Sequence, residues 1–127
     1  MDTHRAREKI FQSIQNDGLM RTIEKSFGVG TKIQLSFSEK ACETEIEKLD
    51  LSVRSYNCLK RAGLDIVEKV VKVMQENKLW NIRNLGKGSR AEIHFKIYEF
   101  GYKSLTERGK KDFVKSLLEL NKDKYLG

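Results

Sequence analysis

The chain has no proline among its 127 residues. Its helices are therefore spared the one residue that lacks a backbone N–H, and their breaks fall to glycine. No run of 18 apolar residues occurs, so no segment has the length of a bilayer-spanning helix. The first five residues hold no apolar stretch of signal-peptide type. Cysteine is sparse: Cys42 and Cys58 stand sixteen positions apart, with no CxxC pair and only two histidines in the whole sequence. That spacing offers no zinc site, and the pair reads as reduced thiols in a cytoplasmic protein. The P-loop spacing GxxxxGK[ST] is absent, and no His–Asp arrangement accompanies Cys58. His4 and His94 have no acid or cysteine at metal-ligand spacing. Neither an enzyme, a metal site nor a cofactor is expected.

What the chain does have is charge. Lys and Arg number 25 against 18 Asp and Glu, a net of +7 with a pI near 9.4. A cationic surface favours polyanion partners through counterion release, although many soluble proteins carry such an excess. With 39% hydrophobic residues, the protein has enough apolar surface to bury one modest core.

Apolar spacing predicts helices along most of the length. Ile10, Phe11 and Ile14 form one stripe and Leu19, Met20, Ile23 and Phe27 another, with Asn16-Asp-Gly18 as a turn between them. Gly28-Val-Gly30 ends the second helix. Lys32–Ser38 alternates polar and apolar residues, the period of a short half-buried strand that would need a partner. Residues 39–50 are acidic-rich and read as a linker with a helical turn. Ser52 suits the N-cap of a helix to Arg61, which Gly63 closes, and Asp65 suits the cap of the next. A short helical piece over Glu76–Asn81 carries Trp80, expected as a core anchor. Ser89 is expected to cap a further helix bearing Ile93, Ile97 and Phe100. Gly101 and Thr106–Gly109 read as interruptions before a last amphipathic helix.

The expected fold is all-α: a compact bundle of short helices with helix-hairpin-helix-like turns, of sterile-alpha-motif-like form, preceded by an N-terminal helical segment with one short strand. The expected divisions are 1–44, for oligomerisation or docking; 45–105, the compact helical bundle; and 106–127, a C-terminal amphipathic helix. Leu51, Leu59, Val70, Leu79, Leu85, Ile93 and Ile97 are expected to share one core. The apolar N-terminal stripes and the unpaired strand suggest a homodimer.

Two segments carry chemistry. In Asn84-Leu-Gly-Lys-Gly-Ser89 a tight turn feeds a helix, and a helix N-terminus offers unpaired N–H groups to phosphate. A plain helix corner in which glycine serves packing reads equally well. In Arg54-Ser-Tyr-Asn-Cys-Leu-Lys-Arg61, Arg54, Asn57 and Arg61 share one helix face. Such a face suits a narrow, A/T-rich minor groove, and it is also what a solvated basic surface looks like.

Taken together, Val53-Arg-Ser-Tyr-Asn-Cys-Leu-Lys-Arg-Ala-Gly63 and Asn84-Leu-Gly-Lys-Gly-Ser89, with Glu92 following, resemble the two signature segments of the C-terminal domain of the bacterial RNA polymerase alpha subunit. The resemblance covers roughly residues 45–105. It implies that Arg54 enters the minor groove and that Asn57, Cys58 and Lys60 belong to the same DNA-facing helix. Asn57 and Cys58 would approach the sugar-phosphate backbone. Gly86 and Ser89 would bind phosphate, while Asn84, Lys87 and Glu92 line or brace that surface. Gly88 belongs to the same turn but stands where the family usually has a lysine.

The family's N-terminal assembly domain does not fit in 44 residues, so the sequence reads as a free-standing relative of the DNA-binding domain. The implied partners are A/T-rich double-stranded DNA and RNA polymerase or transcription factors, with no membrane. Two other functions compete. One is a protein-interaction domain of sterile-alpha-motif-like form that has lost DNA binding. The other is a helix-hairpin-helix accessory to a nuclease or ligase on another polypeptide.

Overall fold

The computed structural model describes residues 3–126, so Met1 and Asp2, at the start of the N-terminal stretch read above, lie outside the described residues. Among the described residues seven α-helices follow in order: α1 (Thr3–Asp17), α2 (Leu19–Phe27), α3 (Glu39–Cys42), α4 (Val53–Arg61), α5 (Val67–Gln75), α6 (Lys87–Lys103) and α7 (Glu107–Leu120). Short 3-10 turns lie at Ile46–Leu49, Leu79–Asn81 and Lys122–Lys124. Among the described residues there is no strand, and the protein is all-α.

The helices fall into two compact units. One joins residues 1–36 to 105–127; the other spans 37–104. These boundaries differ from the expected 1–44, 45–105 and 106–127, because the two flanks form a single unit.

In the flanking unit, α1 packs against both α2 and α7. Ile10, Ile14, Leu19, Ile23 and Phe27 are buried, as are Phe113, Val114, Leu117 and Leu118 of α7. The apolar stripes that suggested a homodimer are thus covered from within the same molecule. Gly18 separates α1 from α2 at φ 90, a conformation open to glycine without steric cost.

The expected strand over Lys32–Ser38 does not form. Its exposure alternates as the sequence pattern demands, with Ile33, Leu35 and Phe37 half-buried between exposed polar residues. What it lacks is a neighbouring strand. The Lys32 backbone is instead held by the side chain of Asn121. Oδ1 accepts from Lys32 N–H at 2.8 Å, and Nδ2 donates to Lys32 C=O at 2.9 Å.

In the central unit the core contains Ile46, Leu49, Leu59, Val67, Val70, Leu79, Leu85, Ile93 and Ile97, with Leu51 packed against it half-buried. Burying side chains of this size is worth roughly 1.5–3 kcal/mol each. The expected core therefore forms, enlarged by Ile46 and Leu49 from a stretch that read as linker. That stretch is built in by backbone pairing: Ile46 N–H donates to Asp65 C=O at 3.1 Å and Val67 N–H to Thr44 C=O at 2.8 Å.

The same pairing corrects the start of α5. Ile66, not Asp65, is the N-cap residue, and the helix has no side-chain cap. The Val67 N–H already has a partner in Thr44, and the Asp65 carboxylate pairs with Lys69 at 3.0 Å. Two further expectations change. Gly101 lies buried inside α6 rather than interrupting it; a glycine costs a helix about 1 kcal/mol but does not stop one that is packed. Thr106 is the N-cap of α7, its hydroxyl accepting from Gly109 N–H at 3.0 Å.

Candidate functional site

Helix α4 is set at both ends by its own sequence. Ser52 caps it, its hydroxyl accepting from Ser55 N–H at 3.3 Å. At the other end Gly63 takes φ 78, so that its N–H reaches Lys60 C=O at 3.0 Å and Leu64 N–H reaches Leu59 C=O at 2.9 Å. This double closure is the Schellman ending, which needs the left-handed residue that glycine supplies. Leu59 and Cys58 turn into the core, and Arg54, Asn57 and Arg61 line its outer side.

Those three side chains border an open groove of about 740 Å³, with Cys58 beside them. The rest of the lining comes from the segment after α5: Trp80, Ile82, Asn84, Leu85 and Gly86. The Cys58 thiol donates to Asn84 C=O at 3.5 Å, tying the two parts of the lining together. Asn84 takes φ 66, a left-handed conformation that asparagine tolerates better than most residues. Leu85 is buried beneath it and anchors the turn. Neither Arg54 nor Arg61 is paired with a carboxylate among the described residues.

Helix α6 starts at the rim of this groove, earlier than expected. Gly86, not Ser89, holds the N-cap position, with extended backbone at φ −77 and ψ 175 and its C=O accepting from Arg90 N–H at 3.0 Å. Lys87, Gly88 and Ser89 therefore form the first turn. It has no side-chain cap, in contrast to α3, α4 and α7. The first N–H groups of a helix have no intrahelical acceptor, and they sit at the positive end of its dipole. Lys87 and Arg90 add positive charge there, with no acidic residue in the turn.

The glycines of this turn have a specific geometry. A Cβ at Gly86 or Gly88 would meet nothing within 4 Å, and neither residue has a positive φ. Packing does not ask for glycine at either place, nor does backbone conformation. What glycine leaves at Gly86 is open backbone facing the groove.

Glu92 and Lys60 are placed by other contacts. Glu92 does not reach Arg54 or Lys87. Its carboxylate accepts from Ser52 N–H and Ser52 hydroxyl at 2.7 Å each, and from Ser55 hydroxyl at 2.5 Å. Partial burial works to raise its pKa, but these three hydrogen bonds, with Lys96 nearby, outweigh that and hold the carboxyl below its ordinary value. Glu92 thus braces the start of α4, the helix that carries Arg54. Lys60 lies away from the groove lining. Its Nζ stands 3.4 Å from Glu47 and 5.8 Å from the centre of the Tyr56 ring, and Tyr56 hydroxyl donates to Glu47 at 2.7 Å.

Trp80, Ile82 and Leu85 line the groove without having been expected at a DNA-facing site. Arg61, expected on the face of Arg54 and Asn57 from its i+7 spacing, lines the groove with them. Trp80 was expected in the core but is 63% exposed. It neighbours buried Leu79 on a three-residue 3-10 turn, and only one of the two can face inward.

Comparison with known proteins points to one family. The model of the C-terminal domain of the bacterial RNA polymerase alpha chain matches residues 36–99. A DNA-directed RNA polymerase subunit alpha of Alkaliphilus metalliredigens is 52% identical over 63 residues, which is 50% of this sequence and 20% of that protein. The alpha subunits of Desulforamulus reducens and Alkaliphilus oremlandii are each 49% identical over the same lengths. The match thus spans about a fifth of the length of these curated relatives. No solved structure matches.

Proposed function

Since the protein belongs to the family of the C-terminal domain of the bacterial RNA polymerase alpha chain, we propose that it is a transcription-related module binding A/T-rich double-stranded DNA. In this reading Arg54 enters the minor groove, with Asn57 and Arg61 beside it on the same face. The uncapped first turn of α6, at Lys87, Gly88 and Ser89, takes a backbone phosphate, and Gly86 gives it close approach. Asn84 lines the groove between them. Cys58 and Glu92 act from behind, Cys58 by joining the two parts of the lining and Glu92 by fixing the start of α4. Lys60, paired with Glu47, lies beside the groove without lining it.

The observation that carries the proposal is the convergence of unpaired Arg54 and Arg61 with an uncapped helix N-terminus on one open groove. Minor-groove arginine and helix-terminal phosphate binding are complementary: one reads groove width and the other sets register on the backbone. The module acts by binding, with no catalytic step and no cofactor. RNA polymerase or its regulators are the proposed protein partners, engaged while the groove holds DNA.

Fluorescence anisotropy with dye-labelled A/T-rich and G/C-rich duplexes, at low and raised salt, tests this. Preference for the A/T-rich duplex with salt-sensitive affinity is expected. No binding to either at low salt would leave the protein-interaction domain as the better reading.

A further inference from the structure

Trp80 is the protein's one tryptophan, and its exposure needs a physical account. Large aromatic side chains dominate cores and interfaces, and one left in water forgoes most of its burial free energy. Trp80 is also not free to swing. Its Nε1–H donates to Asn77 C=O at 2.7 Å, with Asn77 at φ 56, and buried Leu79 anchors the residue before it. The indole edge is therefore tied to its own backbone, and its donor is used up. What remains is an apolar surface on the same groove that Arg54 and Asn57 line.

We infer that Trp80 is a further DNA-contacting residue, whose indole packs against the deoxyribose faces of the minor groove that Arg54 enters. The walls of a minor groove are lined by sugar C–H groups, which an aromatic ring with no hydrogen bond left to give can cover. Minor-groove binders commonly pair arginine with an apolar side chain, elsewhere as a wedge between base steps. Because the inference rests on the proposed DNA binding, its test must be able to fail separately.

The full-length protein is titrated with a dye-labelled A/T-rich duplex, following dye anisotropy and tryptophan emission together. Emission is expected to change with the same midpoint as anisotropy. Trp80→Ala should weaken binding about tenfold and leave the salt slope unchanged, because no charge is lost. Trp80→Phe, which keeps a ring, should bind close to wild type. If anisotropy reports binding while emission stays flat and Trp80→Ala binds like wild type, this inference fails and the DNA reading stands. If Trp80→Phe is as weak as Trp80→Ala, the ring is not what binds, and the inference fails again. A larger emission change with single-stranded than with duplex DNA would mean base stacking and overturn the minor-groove assignment. If no duplex binds, both proposals fall. Should Trp80→Ala not fold, the wild-type emission titration decides alone.

Discussion

Glu92 and Ser52, forty residues apart, are joined by two 2.7 Å hydrogen bonds, one from the serine N–H and one from its hydroxyl. With Ser55 they make a three-donor cradle for one carboxylate at the start of α4. Glu92→Ala should therefore lower unfolding free energy by roughly 1–3 kcal/mol, nearer the low end because the carboxylate is partly exposed. It should also weaken DNA binding through the displaced start of α4, although Glu92 need not touch DNA.

The pH dependence has a definite sign. The folded-state pKa of Glu92 is lowered from its ordinary 4.5. Its stabilisation is thus complete above that value and lost as pH falls through the folded pKa. Urea midpoints of wild type and Glu92→Gln should differ at neutral pH and converge in acid. Midpoints separated equally across the whole range would contradict the role given to the charged form.

Arg54 and Lys87 should fail differently. Arg54→Ala removes the groove contact, so it should abolish preference for A/T-rich over G/C-rich duplex as well as lowering affinity. Lys87→Ala should weaken all sequences about equally and reduce the salt slope by about 0.9. Anisotropy titrations at several salt concentrations separate the two. Equal A/T preference in wild type and Arg54→Ala would remove Arg54 from the minor groove.

Gly88→Lys should tighten DNA binding and raise stability together. The position is helical, its Cβ would meet nothing within 4 Å, and no positive φ opposes a side chain. Replacing glycine by lysine in a helix gains up to about 1 kcal/mol, less near a terminus. A steeper salt slope in titration and a higher melting temperature are the expected readouts.

Asn121→Ala should loosen the segment after Gly30. Asn121 is 2% exposed, and its amide serves Lys32 N–H, Lys32 C=O and Leu117 C=O at once. Losing hydrogen bonds to these largely part-buried backbone groups costs about 1 kcal/mol each. Hydrogen exchange at the Lys32 amide should accelerate, and unchanged exchange would show that the amide is held by something else.

The split between what could be read and what could not follows from the range of each interaction. Local chemistry was legible: Ser52 and Gly63 bound α4, the 3.6-residue period placed Leu59, Ile93 and Ile97 inward, and the i, i+3, i+7 spacing put Arg54, Asn57 and Arg61 on one face. These depend on residues within one or two turns of each other. The alternation over Lys32–Ser38 was also read correctly as a pattern of exposure. Whether it becomes a strand depends on a partner, and the partner is a side chain 89 positions away.

Tertiary structure decided the rest, because it settled competitions that local sequence leaves balanced. Asp65 and Ser89 were each suited to a cap. Thr44 C=O met the first N–H of α5, and the extended backbone of Gly86 started α6 early, so neither cap was used. Leu79 and Trp80 were both expected in the core, and the register of a single 3-10 turn buried the first and exposed the second. Glu92 was expected to line or brace the phosphate-binding surface, and it braces the start of α4 instead. Only the packing of α4 on α6 brings the Ser52 and Ser55 donors within reach of its carboxylate. Which residues can form a helix is written in short-range periodicity; which of them face the groove is set by contacts made once the helices have packed.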